Sequence, residues 1–153
     1  MEQKTTPVLV TLTSCAKPEH GEPEAPIRMM CHGQLKSTST GYMLRYQEVQ
    51  TDDETHQTAV QDVILNMQPG RVTMARLGPY GTTMVFVKDR RFEGAYHTPF
   101  GDLALALFAT QVNCRLEPDH GSVHLEYQLD MQGSYAAVQV IDIAYQADEA
   151  APC

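Results

Sequence analysis

A chain of 153 residues with 42% apolar content suits one domain that buries about two-thirds of its unfolded surface, and is too short for two. Lys and Arg number 11 against 19 Asp and Glu, a formal charge of -8 at pH 7; that sign is wrong for neutralising phosphates, so neither nucleic acid nor an anionic membrane is expected as a partner. The longest uncharged apolar stretch, Leu103 to Ala109, is far shorter than the ~20 residues of a membrane-crossing helix.

The start, Met1-Glu2-Gln3-Lys4-Thr5-Thr6-Pro7, carries an early acid, and the apolar run after it is too short for a secretory signal, so a cytoplasmic location is expected. Val8 to Thr13 is the first strand-length run. Cys15 to Pro26, with three prolines and three glutamates, reads as a solvated loop. Ile27 to Leu35 and Gly41 to Glu48 are the next two strands, followed by an acidic loop, Thr51 to Gln57, that holds Asp52-Asp53-Glu54. Ala59 to Met67, Val72 to Leu77 and Thr82 to Val87 continue the series, rich in Val, Leu, Thr and Met. Pro69-Gly70 and Gly78-Pro79-Tyr80-Gly81 punctuate them.

Thr98-Pro99-Phe100-Gly101 has the chemistry of a type I turn, with Pro second and Gly fourth. Asp102 to Leu116 carries Leu103, Leu105 and Leu107 in one phase, then Phe108, Thr110, Val112, Cys114 and Leu116 in the other, which predicts a β-bulge near Phe108. Ser122 to Gln132 alternates strictly: Val123, Leu125, Tyr127, Leu129 and Met131 against His124, Glu126, Gln128, Asp130 and Gln132. That is a strand with one wet face. Gly133-Ser134 turns the chain into Tyr135 to Gln146, where Ala136, Val138 and Val140 give way to Ile141, Ile143 and Tyr145 and predict a second bulge near Val140. Residues 1–147 make the domain, and residues 148–153, Asp-Glu-Ala-Ala-Pro-Cys, read as a disordered tail. Antiparallel strands with short turns, one apolar face each and bulges in the long ones favour a single closed up-and-down barrel, because closure removes the sheet edges.

Arg76-Leu77-Gly78, Met84-Val85-Phe86, Tyr96-His97-Thr98-Pro99-Phe100-Gly101, Thr110 and Tyr127-Gln128-Leu129 follow in order the pattern R-x-G, M-x-F, Y-x-T-P-[FY]-G, T, Y-x-L. This resembles the YwiB-like family of bacterial proteins, with a weaker echo at Tyr46-Gln47-Glu48, where that family tends to have Tyr-Glu-Glu. The resemblance implies a calycin-like barrel of about eight to ten strands and no particular activity. Where the family turns through a glycine after Phe86, this chain has Asp89; Asp tolerates a positive φ, so the turn is expected to survive.

Arg76 shares the phase of Met74 and Val72. A guanidinium facing into a barrel must be paired or stacked. It either lies over an aromatic such as Tyr127 or Tyr96 or anchors the carboxylate or phosphate of a small ligand. The Thr98–Gly101 turn is either a corner, with Tyr96 and Phe100 plugging a barrel end, or the rim of a ligand mouth. The candidate ligand-binding residues are therefore Arg76, Tyr96, Thr98, Phe100 and Tyr127. Seven methionines (Met29, Met30, Met43, Met67, Met74, Met84, Met131) suit an irregular core or an adaptable apolar pocket.

No catalytic or metal site and no cofactor is expected. Gly-x-Ser-x-Gly, Gly-x-Gly-x-x-Gly and the phosphate-loop pattern are absent. His120 and His124 have helical spacing but lie in a turn and a strand, Cys31 and His32 point to opposite faces, and His97 lies opposite Tyr96 and Thr98. The four cysteines, Cys15, Cys31, Cys114 and Cys153, show no Cys-x-x-Cys spacing and are expected as free thiols. The expected function is a barrel that binds a small hydrophobic or amphipathic ligand in its interior, as monomer or homodimer. The alternative is a non-enzymatic protein–protein interaction module with a filled barrel; an enzyme ranks last.

Overall fold

The computed structural model describes residues 5–18, 22, 25–51, 56, 58–78 and 81–148. Ten strands follow one another with no helix among them: β1 (Thr5–Pro18), β2 (Ile27–Ser37), β3 (Tyr42–Thr51), β4 (Thr58–Gln68), β5 (Arg71–Leu77), β6 (Thr82–Val87), β7 (Arg91–Thr98), β8 (Gly101–Leu116), β9 (His120–Met131) and β10 (Ser134–Ala147). Each pairs antiparallel with its neighbours in sequence, and β1 also pairs with β10, so the sheet closes on itself as an up-and-down barrel. Closure satisfies backbone groups that an open sheet would leave at its edges.

Period-two sequence becomes inside and outside. On β9, Val123, Leu125 and Tyr127 are buried, while His124 and Gln128 face out. On β5, Val72 and Met74 are buried and Arg76 follows them inward. Turns close where local chemistry permits. Gln132 and Gly133, both at positive φ (54° and 79°), join Met131 to Ser134 with the twist that hairpins favour. Asp89 sits at φ 62° after β6, so aspartate does hold the positive-φ turn expected there.

Four readings of the sequence are corrected. β7 (Arg91–Thr98) was expected from no run, since charges and Gly94 break its alternation; it forms because β8 pairs with all of it, from Arg91↔Phe108 to Thr98↔Gly101. The bulge on β8 exists but falls between Ala109 and Gln111, so Phe108 and Thr110 point outward with the earlier phase, and only from Val112 does the inward phase change. The Thr110 hydroxyl donates to the Glu126 carbonyl oxygen at 3.1 Å there. On β10 the irregularity lies between Tyr135 and Ala137, not near Val140; from Ala137 to Tyr145 one phase faces in, and Val138 and Val140 lie on the outer wall. The loop expected from Cys15 starts later, because Cys15 to Pro18 continue β1 against β10; the rest of that loop, like 52–55 and 57, lies largely outside the described residues. So do 149–153, whereas Asp148 donates its backbone N–H to Pro7 and sets its carboxylate 2.8 Å from His32.

The interior is filled over half its height. At the end that holds the β2–β3, β4–β5 and β8–β9 turns, Val10, Leu44, Leu65, Met67, Met74, Leu107, Leu125 and Ile143 pack together. Tyr145 closes that end, its hydroxyl donating to the Glu117 carbonyl oxygen at 2.8 Å. Toward the other end the inward positions become mixed: Ser14, Glu48, Arg76, Thr82 and Gln139 interrupt the apolar rows, and side chains of that kind do not close a dry core.

Candidate functional site

The unfilled half is a cavity of about 570 Å³, within the range of small-molecule sites. It opens at the end formed by the β1–β2, β3–β4, β5–β6, β7–β8 and β9–β10 connections. Nine of the ten strands contribute to its wall. Leu12, Met29, Leu103, Leu105, Leu129, Met131 and Ile141 make the wall mostly apolar. Two methionines, with Met84 below them, make it adaptable in shape. On one side the wall itself parts. β2 and β3 are paired only from Gly33↔Tyr46 to Ser37↔Tyr42, so Ile27 to His32 of β2 are paired to β1 alone.

At the floor lie two charges. Arg76 is the cation and Glu48 the anion among the described lining residues. Register explains their meeting: β4 separates their strands, with Val63 opposite both Tyr46 and Arg76 and Gln61 opposite Glu48. The guanidinium reaches across β4 along the inner face. Arg76 Nη2 donates to Glu48 Oε1 at 3.3 Å, and Nε lies 3.2 Å from Oε2, a charge contact in which the Nε–H itself forms no hydrogen bond. Both side chains are largely withdrawn from water, 25% and 11% exposed.

Around this pair the floor is rich in phenols. Tyr127 packs edge-on against Phe86, ring centroids 4.9 Å apart at 63°, and burial pushes its hydroxyl up to about 12 against the opposing pull of Arg76. Tyr46, two residues before Glu48 on the same face, is 1% exposed. Burial, then the Glu48 charge, raises its pKa far above the ordinary tyrosine value. The Tyr46 hydroxyl and Gln61 Nε2 are buried with no hydrogen-bond partner among the described residues. Cys31 also points inward, its thiol pushed up by burial and by Glu48, so at neutral pH it is a poor nucleophile. Thr82 donates to the Ala95 carbonyl oxygen at 3.1 Å, tying β6 to β7 beside their lone ladder pair, Thr82↔Tyr96.

Of the residues singled out from sequence, Arg76, Tyr96 and Tyr127 come together in the cavity wall. Thr98 and Phe100 do not. Phe100 is 95% exposed, because β7 and β8 pair as far as Thr98↔Gly101 and leave only Pro99 and Phe100 in the turn, whose side chains stand clear of the mouth. It plugs nothing. Thr98 serves the turn itself, accepting from the Phe100 N–H at 3.2 Å and donating to the Gly101 carbonyl oxygen at 2.6 Å. Arg76 is paired by the Glu48 carboxylate. Glu48 was the residue missed, although Leu44, Tyr46 and Glu48 share one phase of β3 and that phase alone placed a carboxylate inside.

Among the described residues the histidines lie outside the barrel. His97 contacts Asp102 at 2.8 Å, His120 contacts Asp119 at 2.7 Å, and His124 sits between Asp142 and Glu126. Among the described residues no group of three or more His, Cys, Asp or Glu is placed to hold a metal ion.

Comparison with known proteins agrees with this architecture. The model of a family described as "Domain of unknown function (DUF1934)" matches residues 10–143. The crystal structure of the ywiB protein from Bacillus subtilis is similar over 95% of each chain, with a TM-score of 0.81 at 20% sequence identity. No curated protein matches. Among the described residues no helix is long and apolar enough to cross a membrane.

Proposed function

Because the chain belongs to the DUF1934 family, a YwiB-like barrel family whose description assigns no activity, we propose from its own geometry that it is a binding protein, holding a small hydrophobic or amphipathic molecule in the mouth half of the barrel. The observation that carries this reading is the half-filled interior. A barrel of this size can be packed throughout by its own side chains. Here one half is packed, and the other leaves about 570 Å³ behind an apolar wall with one polar pair at its floor. In this reading Leu105, Leu129 and Ile141 hold the apolar body of the ligand, and Arg76, Glu48, Tyr96 and Tyr127 orient its polar end. The rival reading, an interaction module with a filled barrel, needs a sealed interior and a contiguous exposed apolar patch. Among the described residues the large exposed apolar side chains, Ile27, Met30, Val60, Leu77, Phe100 and Phe108, are instead spread over β2, β4, β5, β8 and the β7–β8 turn.

Native mass spectrometry of protein purified gently from its own cells, compared with the denatured mass, tests the proposal. The expected result is an excess mass that vanishes on unfolding and identifies the ligand. A native mass equal to whole copies of the bare chain, unchanged after incubation with medium-chain alcohols, overturns it. The same spectrum separates monomer from homodimer.

A further inference from the structure

The polar floor of the cavity constrains the head group that can sit on it. Arg76 and Glu48 neutralise one another, so the floor offers no net charge. Its hydrogen-bonding capacity is unbalanced as well. Within the pair, the Arg76 Nε–H forms no hydrogen bond, whereas the carboxylate of Glu48 already accepts from Arg76 Nη2. The ion pair therefore keeps a donor to spare.

Three kinds of head group follow from this balance. A carboxylate brings acceptors, but it places a second negative charge beside Glu48, and drawing Arg76 away would leave a buried carboxylate uncompensated. An ammonium brings only donors and meets Arg76. An uncharged carbonyl brings an acceptor with no charge, and an adjacent N–H can return a hydrogen bond to Glu48. Resting on the binding role proposed above, we infer that the head group is uncharged and carries a carbonyl beside an N–H, the chemistry of a carboxamide, a lactam or a urea. Arg76 donates to the carbonyl oxygen and Glu48 accepts from the N–H, while the apolar body runs up the wall toward Leu129 and Ile141. The ion pair is then a neutral reading head rather than an anion anchor.

Titration calorimetry with four eight-carbon probes of matched length tests this: octanamide, octanoate, octylammonium and octan-1-ol, at neutral pH. Octanamide is expected to bind more tightly than octan-1-ol, and at least about tenfold more tightly than either charged probe, the difference that one lost or repelled polar contact produces. Glu48→Gln removes the negative charge beside the head group and is expected to strengthen octanoate about tenfold relative to octanamide. The double variant Arg76→Leu with Glu48→Leu replaces the pair by apolar groups, a change that folded proteins usually tolerate; it should keep octan-1-ol and lose the preference for octanamide. Octanoate or octylammonium binding as tightly as octanamide overturns the inference. So does a double variant that folds, by its thermal transition, and still prefers octanamide. If octan-1-ol binds and octanamide gains nothing over it, the head-group assignment falls and the binding role stands. If none of the four binds, both fall.

Discussion

An added carbon at Gly121 would meet the ring of Tyr145 and, at 2.6 Å, the carbonyl oxygen of Arg115. Tyr145 lies opposite this glycine in the β9–β10 ladder and crosses it to reach Glu117. The missing side chain makes room for the ring that closes the filled end. Gly121→Ala is expected to cost about 2 kcal/mol through overpacking, read as a lower urea midpoint at unchanged slope. On the outer wall the His124 imidazole is held by Asp142, and secondly by Glu126, which raise its pKa above the ordinary histidine value against some desolvation. A pKa raised by folding adds stability that is fully present below that ordinary value, about 6.5, and is lost as pH rises through the folded value. The excess stability of wild type over His124→Gln should therefore shrink as pH climbs above about 6.5, and thermal unfolding of both proteins across that range checks it. An excess that stays constant or grows with pH would contradict this assignment. Residue by residue, Arg76 was legible as an inward cation from the phase of its strand. Its partner was not, since Glu48 lies 28 positions away and only the β3–β4–β5 register brings the two together.

At the scale of elements, strands with unbroken alternation, such as β9, were readable almost to their ends. Those without it were not. β7 carries charges and a glycine, and its pairing with β8 determines it; toward β6 it has the single ladder pair Thr82↔Tyr96, supplemented by the His97 N–H donating to the Gly81 carbonyl oxygen at 2.9 Å. This seam is the thinnest in the barrel. Hydrogen exchange should find the amides of β6 that face β7 at least about tenfold less protected than those between β9 and β10; equal protection would show that the seam opens only with the whole barrel. The β10 bulge was misplaced for a related reason, while the β8 bulge lies just past Phe108, near where it was expected. A change of apolar phase marks a bulge only when every apolar residue faces inward, and Val138 and Val140 lie on the outer wall, so their chemistry gave the wrong position.

At the scale of the whole molecule, ten antiparallel strands close without a crossover, and the closure gives the cavity its shape. Period-two alternation, turn residues such as Pro69-Gly70 and Asp89, and the absence of helical periodicity are local properties of the chain. The sequence by itself therefore determined an all-β chain, most of its strands, the inward phase of Arg76 and Tyr127, and the resemblance to its family. Whether the interior is hollow or filled depends on summed side-chain volumes at each level of a closed wall, and on which strand neighbours which. Those are properties of the assembled barrel alone. Only the tertiary structure decided that one half is packed and the other open, that Glu48 meets Arg76 at the boundary between them, and that Phe100 is exposed in the β7–β8 turn.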